Sequence, residues 1–280
     1  MLEFNDRKIA SMVSFGEAIQ SKWTPAFSVV ITRTLTYSPV YSKNHLYDLG
    51  KFTKLIDSAG EAVSLFQAWR KPGLVKGLAS AFTEPHPNEG INQWKDKEYQ
   101  AIQKMGREVV VSLTGSREDC LETARIIKDL SNVVAIEYCP LEFDTPHIIR
   151  NCQDLKALSG RPILLRLKYD QAYEKIANEM KKEVAAVSLD DEMSWRTIFP
   201  QKEPPLPMGV KVGAKISGPI TQQFLWTMAK NLKECGHLSI GIVSDTLDVH
   251  RLIYILEYCA AVKLMPRTIS FKSLKFGRWT

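Results

Sequence analysis

The sequence predicts a (β/α)8 barrel, a single domain over residues 1–280. Three observations carry this: eight short apolar or β-branched runs, helical patterns between most of them, and a length of 280 residues, close to the usual size of such a barrel. The runs are residues 8–13, 27–34, 108–114, 133–139, 162–168, 185–189, 238–244 and 260–265, each bounded by turn residues or polar clusters. One helix opens at Ser116, a plausible N-cap, with Leu121, Ala124, Ile127 and Leu130 at helical spacing behind it. Others cover roughly residues 147–158, 172–182, 221–235 and 248–259. Strands alternating with helices of this length argue for a parallel sheet. Eight strands favour a closed barrel; the alternative, an open doubly wound sheet, lacks the G-x-G-x-x-G that would follow its first strand.

Two long insertions interrupt the rhythm, one after the second strand and one after the sixth. Residues 35–107 hold a helix over about 51–70 and then a loop punctuated by Pro72, Gly73, Pro85, Pro87 and Gly90. Residues 190–219 offer no clear helix and contain Pro200, Pro204, Pro205 and Pro207. Excursions of this length are lids or binding loops, or else disordered or partner-facing surface.

Composition bounds the function only loosely. Hydrophobic residues make up 45% and charged residues 24%, ordinary for a globular protein with a full core. The longest apolar runs are too short to cross a bilayer, and the opening residues mix charges with apolar side chains, so neither a membrane span nor a signal peptide is expected. Five cysteines (Cys120, Cys139, Cys152, Cys235 and Cys259), an odd count without close pairs, read as reduced thiols of a cytoplasmic protein. The net charge of +6 comes from Lys and Arg spread along the chain, with no basic run interleaved with aromatics. That pattern gives no sign of nucleic-acid binding and suits an anionic small-molecule partner equally well. A homo- or hetero-oligomer remains open.

In a barrel of this kind the active site lies at the carboxyl ends of the strands. Alternation places Ile163, Leu165 and Leu167 on one face and Leu164, Arg166 and Lys168 on the other. The aliphatic face belongs against the helices, which sends Arg166 and Lys168 toward the barrel axis. The same test pairs Glu137 with Cys139. Arg33 ends the second strand and Arg267 lies just beyond the eighth. The expectation is that Arg33, Arg166 and Lys168 gather at one mouth with Glu137 as a partner, a cationic setting that favours an anionic ligand. Singly, each cation is as well explained by a carboxylate partner or by reaching solvent. Cys139 is a candidate proton-transfer base if cations lower its pKa, or else a small buried hydrophobe. Ser217 and Gly218 precede Pro219 at a helix start whose free N–H groups can receive phosphate. The five histidines form no metal-ligand spacing, so no metal site is expected.

The order of segments resembles the dihydroorotate dehydrogenase family, and the related barrel of dihydropyrimidine dehydrogenases. Ile9-Ala10-Ser11 with Phe15-Gly16-Glu17, Thr32 through Thr36, Val111 through Ser116, Ala135 through Pro140, Pro162 through Lys168, and Ser217 through Ile220 are each similar to a family motif, colinear over nearly the whole chain. The resemblance implies an FMN oxidoreductase of pyrimidine biosynthesis that converts dihydroorotate to orotate. On it Cys139 would be the base, Arg33 and Arg166 would replace flavin-contacting lysines, and Ser217 and Gly218 would hold phosphate. Departures accompany the likeness. Val243-Ser244 stands where the family has Gly-Gly, and Met265-Pro266 stands where it has Gly-Thr. A proline cannot donate an N–H there, and Lys215 and Arg267 would supply side-chain charge instead. The resemblance therefore implies FMN held weakly or not at all and a reaction altered or lost. The alternative is a non-catalytic barrel that binds an anionic or phosphorylated metabolite, or that partners an intact relative.

Overall fold

A computed structural model of the chain describes residues 29–40, 53–81, 88–141, 144–169, 172–207, 213–243 and 258–264. The described residues open on strand β1 (Val29–Ile31), followed by β2 (Thr53–Ile56), β3 (Ala62–Val63), helix α1 (Leu65–Arg70) and β4 (Gly77–Ser80). A helical run follows: α2 (Gly90–Trp94), a π-helical turn (Lys95–Tyr99) and α3 (Gln100–Lys104). Strand–helix units then repeat as β5 (Glu108–Leu113), α4 (Arg117–Lys128), β6 (Val133–Tyr138), α5 (Thr145–Ser159), β7 (Ile163–Leu167), α6 (Tyr173–Met180) and β8 (Ala186–Leu189). A second excursion holds β9 (Met193–Ser194), α7 (Trp195–Ile198) and β10 (Lys215–Ser217), before α8 (Gln222–Glu234), β11 (Ser239–Val243) and β12 (Ala261–Leu264).

Seven of these strands form one parallel sheet in the order β1-β5-β6-β7-β8-β11-β12. They are seven of the eight expected runs; the eighth, residues 8–13, lies outside the described residues. From β1 through β8 the sheet is buried on both faces, which is why those strands read as near-continuous apolar runs. Val109, Val111, Ile136, Ile163, Leu165 and Val187 pack outward with the helices in the main core. Val29, Ile31, Val110, Ala135, Leu164, Ala186 and Ile240 form a second buried cluster on the inner face. Six strands contribute to that one small cluster, so the sheet curls around it in the manner of a TIM barrel.

Local chemistry sets the helix ends. Ser116 accepts a hydrogen bond from the Asp119 N–H, with Glu118 and Asp119 in the first turn of α4 and Arg125 and Lys128 in its last. Asp144 caps α5 in the same way, and Gly160 ends it in the left-handed conformation at φ 66°.

The two insertions differ from expectation. The helix expected over residues 51–70 is instead a β2–β3 hairpin followed by the six-residue α1. Turn chemistry overrides the helical pattern: the Asp57 carboxylate accepts from the N–H groups of Ala59 (2.8 Å) and Glu61 (3.0 Å), with Gly60 at φ 79°. The excursions also do not stand apart as separate loops. They share a five-stranded sheet of order β3-β2-β4-β10-β9, in which Lys215, Ile216 and Ser217 pair with Ser80, Ala79 and Leu78. The turn at Gly60 rests on aromatics of the second excursion, so close that a Cβ there would lie 2.9 Å from Phe199. Among the described residues no helix is long and apolar enough to cross a membrane.

Candidate functional site at the barrel mouth

Moving along the inner face toward the carboxyl ends of the strands, the side chains change from aliphatic to polar. Above Val110, Ala135, Leu164 and Ala186 come Ser112, Glu137, Arg166 and Ser188, each two residues further along its strand, and above those Thr114, Cys139, Lys168 and Asp190. Glu137 accepts hydrogen bonds from Ser112 Oγ (2.8 Å) and Ser188 Oγ (2.5 Å), one on each carboxylate oxygen. The Arg166 guanidinium pairs with Asp190 (2.8 Å), stands 4.0 Å from Glu137 and donates to Thr34 Oγ1 at 3.1 Å.

The insertion sheet adds the next layer. Lys168, just beyond β7, and Lys215 on β10 both donate to the same oxygen of Glu192, at 2.8 and 2.9 Å. Glu192 lies between β8 and β9, and its N–H returns to the Asp190 carboxylate (3.1 Å). Three cations and three carboxylates from the barrel and the insertions thus interlock at one end of the sheet.

Burial would raise the Asp190 pKa, but Arg166 and Lys168 outweigh it and hold the carboxyl at about 2. Burial opposes ionisation of Glu192 too, and Lys168 with Lys215 prevails over it and over Asp190, keeping its pKa below the usual carboxylate range. Cys139 goes the other way. It is buried, and burial pushes its thiol up despite Arg166 and the Ser112 hydroxyl 3.5 Å away. Asp190 and Glu192 stay ionised and Cys139 stays neutral, so none of the three exchanges a proton near neutral pH. Cys139 lacks the lowered pKa that a base would need.

Acid should therefore weaken the fold through this cluster. A folded-state pKa depressed below the 3.8 of a free aspartate makes Asp190 stabilising above that value, by roughly 2–3 kcal/mol, and that contribution disappears as the pH falls toward 2. Urea unfolding between pH 7 and 2 is expected to show this loss, reduced in Asp190→Asn. An Asp190→Asn protein with the wild-type pH profile would refute the assignment.

The structure brings together Arg166, Lys168, Lys215 and Cys139 of the residues expected from the sequence. Arg33 it does not. Ile31 faces inward and so does Thr34, three residues on, because alternation breaks where β1 ends; Arg33 is exposed and its charge acts on Glu98 of the α2–α3 run. Ser217 is a strand residue of the insertion sheet, and Gly218, at φ 117°, precedes a 3-10 turn. The N–H groups beyond it are spent on protein: Ile220 donates to Lys76 O, Thr221 to Gly218 O and Gln222 to Pro219 O. These donors are not free to hold phosphate. Ser244 and Arg267 lie outside the described residues. Asp190, Glu192, Thr34, Ser112 and Ser188 were not anticipated, although the alternation test used on β7 would have placed Ser188 and Asp190 inward with Ala186.

No family model matches the chain, and no curated protein matches it. Solved structures do. An HpcH/HpaI aldolase from Desulfitobacterium hafniense is 8% identical, with 96% of this chain and 92% of that one covered, at a TM-score of 0.49. A sialic acid aldolase from Ruminococcus gnavus is 13% identical, with 60% of this chain and 50% of that one covered, at 0.37. The carboxyl transferase domain of Rhizobium etli pyruvate carboxylase is 9% identical, with 93% and 40% covered, at 0.43. The chain thus spans half the length of the sialic acid aldolase and less of the pyruvate carboxylase structure. The comparisons do not bear out the resemblance to dihydroorotate dehydrogenases. The chain aligns with barrels titled aldolase and carboxyl transferase, and no dihydroorotate dehydrogenase family model accompanies them. Its description as an FMN oxidoreductase of pyrimidine biosynthesis falls with the family.

Proposed function

We propose that the barrel mouth binds a small anionic molecule, with Arg166, Lys168 and Lys215 as the groups that meet it. One observation carries this: the three cations lie outward of Glu137 and Asp190, with Glu192, 14% exposed, level with Lys168 between the two lysines. The side chains of Arg166, Lys168 and Lys215 are 24, 14 and 20% exposed, against 2% for Glu137 and 1% for Asp190. An entering molecule meets the three cations and Glu192, and the sealed Glu137 and Asp190 behind orient the positive charge. Burying these ions instead of an aliphatic layer is costly for stability, and well-packed apolar residues would serve the fold as well or better. Binding accounts for their presence. With Asp190, Glu192 and Cys139 all fixed in protonation state, holding a ligand suits them better than shuttling protons.

Glu192 supplies the test. Its carboxylate occupies both lysines, so an incoming anion competes with it. In Glu192→Gln the competitor loses its charge, and affinity for small mono- and dicarboxylates, read by calorimetric titration, is expected to rise about tenfold, the equivalent of one charge-assisted hydrogen bond. Lys168→Met should lower it. Unchanged or weaker carboxylate binding by Glu192→Gln would rule out the anionic ligand.

A further inference from the structure

Helix α1 turns its smallest side chain inward and its largest ones outward. Ala68 is buried against Leu55 and Val63, whereas Leu65, Phe66 and Trp69 are 44, 60 and 63% exposed. At 3.6 residues per turn the three large side chains form one stripe about 100° wide, with Arg70 next to it. The Arg70 guanidinium lies 4.7 Å over the Phe66 ring, and the Phe66 and Trp69 rings are 6.3 Å apart. Phe66 and Trp69 are the only exposed Phe and Trp among the described residues. The stripe is held in place. Ser64 and Gln67 close a capping box at 2.9 and 3.2 Å, and the β2–β3 hairpin beneath α1 belongs to the five-stranded insertion sheet. Apolar side chains scattered singly over a surface need no explanation, but a contiguous, fixed cluster beside basic side chains marks a contact surface.

Charge, area and shape choose the partner. From Ala62 to Ala81 the chain carries Arg70, Lys71 and Lys76 and no acidic residue, and the preceding Glu61 is paired with Lys202. Such a surface attracts an anionic partner. A second copy of the chain does not fit, since a two-fold contact would set Arg70 and Lys71 of both copies against one another. The stripe is also too small for that. Six residues of helix span about 9 Å. Side chains of this size, exposed to this extent, offer on the order of 300 Å², against about 800 Å² per partner in a stable complex. Rings more than half exposed on a short helix are knobs and not a groove, so they suit a soft surface that they can enter. A bilayer interface is such a surface: Trp, Phe and Leu settle at the headgroup level, and neighbouring Arg and Lys are drawn to anionic lipid.

We infer that α1 docks the protein on an anionic lipid surface, with Phe66 and Trp69 entering the headgroup layer and Arg70 and Lys71 meeting the lipid charges. The experiment is flotation of the full chain with phosphatidylcholine vesicles, with and without phosphatidylserine, at low and high salt. The chain is expected to float with the phosphatidylserine vesicles at low salt and to be released at high salt. Its tryptophan emission should shift to the blue on binding, and Trp69→Phe should remove most of that shift. Phe66→Ser combined with Trp69→Ser should abolish flotation without lowering the melting temperature, because both side chains are exposed. Arg70→Ser combined with Lys71→Ser should weaken binding about thirtyfold. Lys104→Ser combined with Lys128→Ser removes the same charge from exposed sites on α3 and α4 and should leave binding unchanged. Failure to float with phosphatidylserine vesicles overturns the inference, as does equal flotation with phosphatidylcholine alone. An equal loss in the Lys104 and Lys128 variant would assign the binding to overall charge and not to α1. A dimer in sedimentation equilibrium that the Phe66 and Trp69 variant turns into a monomer would make the stripe a contact between copies, and overturn the inference too.

Discussion

Arg166→Leu is expected to destabilise the protein by about 3–5 kcal/mol, the usual result of removing one partner from a buried ion pair. Asp190 is the reason. Its side chain is 1% exposed, its closest cation is Arg166 at 2.8 Å, and the remaining one, Lys168, stands 4.0 Å away and is already engaged by Glu192. Without the guanidinium, Asp190 keeps the desolvation cost of a buried charge and loses most of what offsets it, so its pKa climbs and the protein relaxes by taking up a proton. Denaturant unfolding of Arg166→Leu at neutral pH would show the loss. Arg166→Leu combined with Asp190→Leu is expected to recover most of it, because an apolar pair replaces an ion pair without leaving a charge behind. A single variant within about 1 kcal/mol of wild type, the range of an exposed pair, would mean that Arg166 is screened by solvent and is not the anchor of the mouth.

The double variant also separates stability from function. It should fold and yet lose the small anion, since the outermost cation of the cluster is gone. If it folds and still binds carboxylates with wild-type affinity, the ions at the mouth have no part in binding.

How far the sequence could be read depended on whether a signal was local. On β7 and β6 alternation is uninterrupted, so Ile163-Leu164-Leu165-Arg166-Leu167 sorts itself into two faces and Glu137 falls beside Cys139. On β1 the same rule fails at its end: the chain passes from Ile31 to Thr34 without a full alternating step, and Arg33 turns to solvent. A break of that kind has no marker in a run of Thr and Arg. The capped helices were legible at their ends, as at Ser116, because capping uses side chains within three residues. The insertions were not. Their strands are two to four residues long and find partners far along the chain, Lys215 with Ser80 and Lys215 with Ser194, so neither excursion holds the information to predict its own sheet. Glu192 went unnoticed for the same reason; its partners Lys168 and Lys215 are brought to it by two different sheets. The phosphate expectation at Ser217 and Gly218 rested on a helix start, its place in the barrel and the family likeness, and the N–H groups of Ile220 to Gln222 that it required are consumed by Lys76 O and by the 3-10 turn.

Trp195→Ala is expected to cost about 3–5 kcal/mol, as removal of a large buried aromatic does, and to do so unevenly. Trp195 is fully buried in the second excursion, its ring against Phe199 at 4.7 Å and its indole N–H donating to Lys202 O at 2.6 Å. Its backbone N–H bonds to Ala214 O, the residue before β10, so one side chain spans the segment that delivers Lys215. Lys202 in turn donates to Ala59 O and pairs with Glu61 in the β2–β3 turn, and Gly60 packs on Trp195 and Phe199. Removal of the indole opens a cavity between the two excursions and leaves the strand–helix units of the barrel packed as before. Native-state amide exchange should therefore quicken in β4 and β10 well before it does in β6 and β7. Because Lys215 and Glu192 both sit on the loosened side, the anion affinity of the mouth should fall together with that protection. Equal loss of protection across both sheets would show that the insertions and the barrel unfold as one unit. Retained anion affinity despite exchange in β10 would show that Lys215 is dispensable to the site.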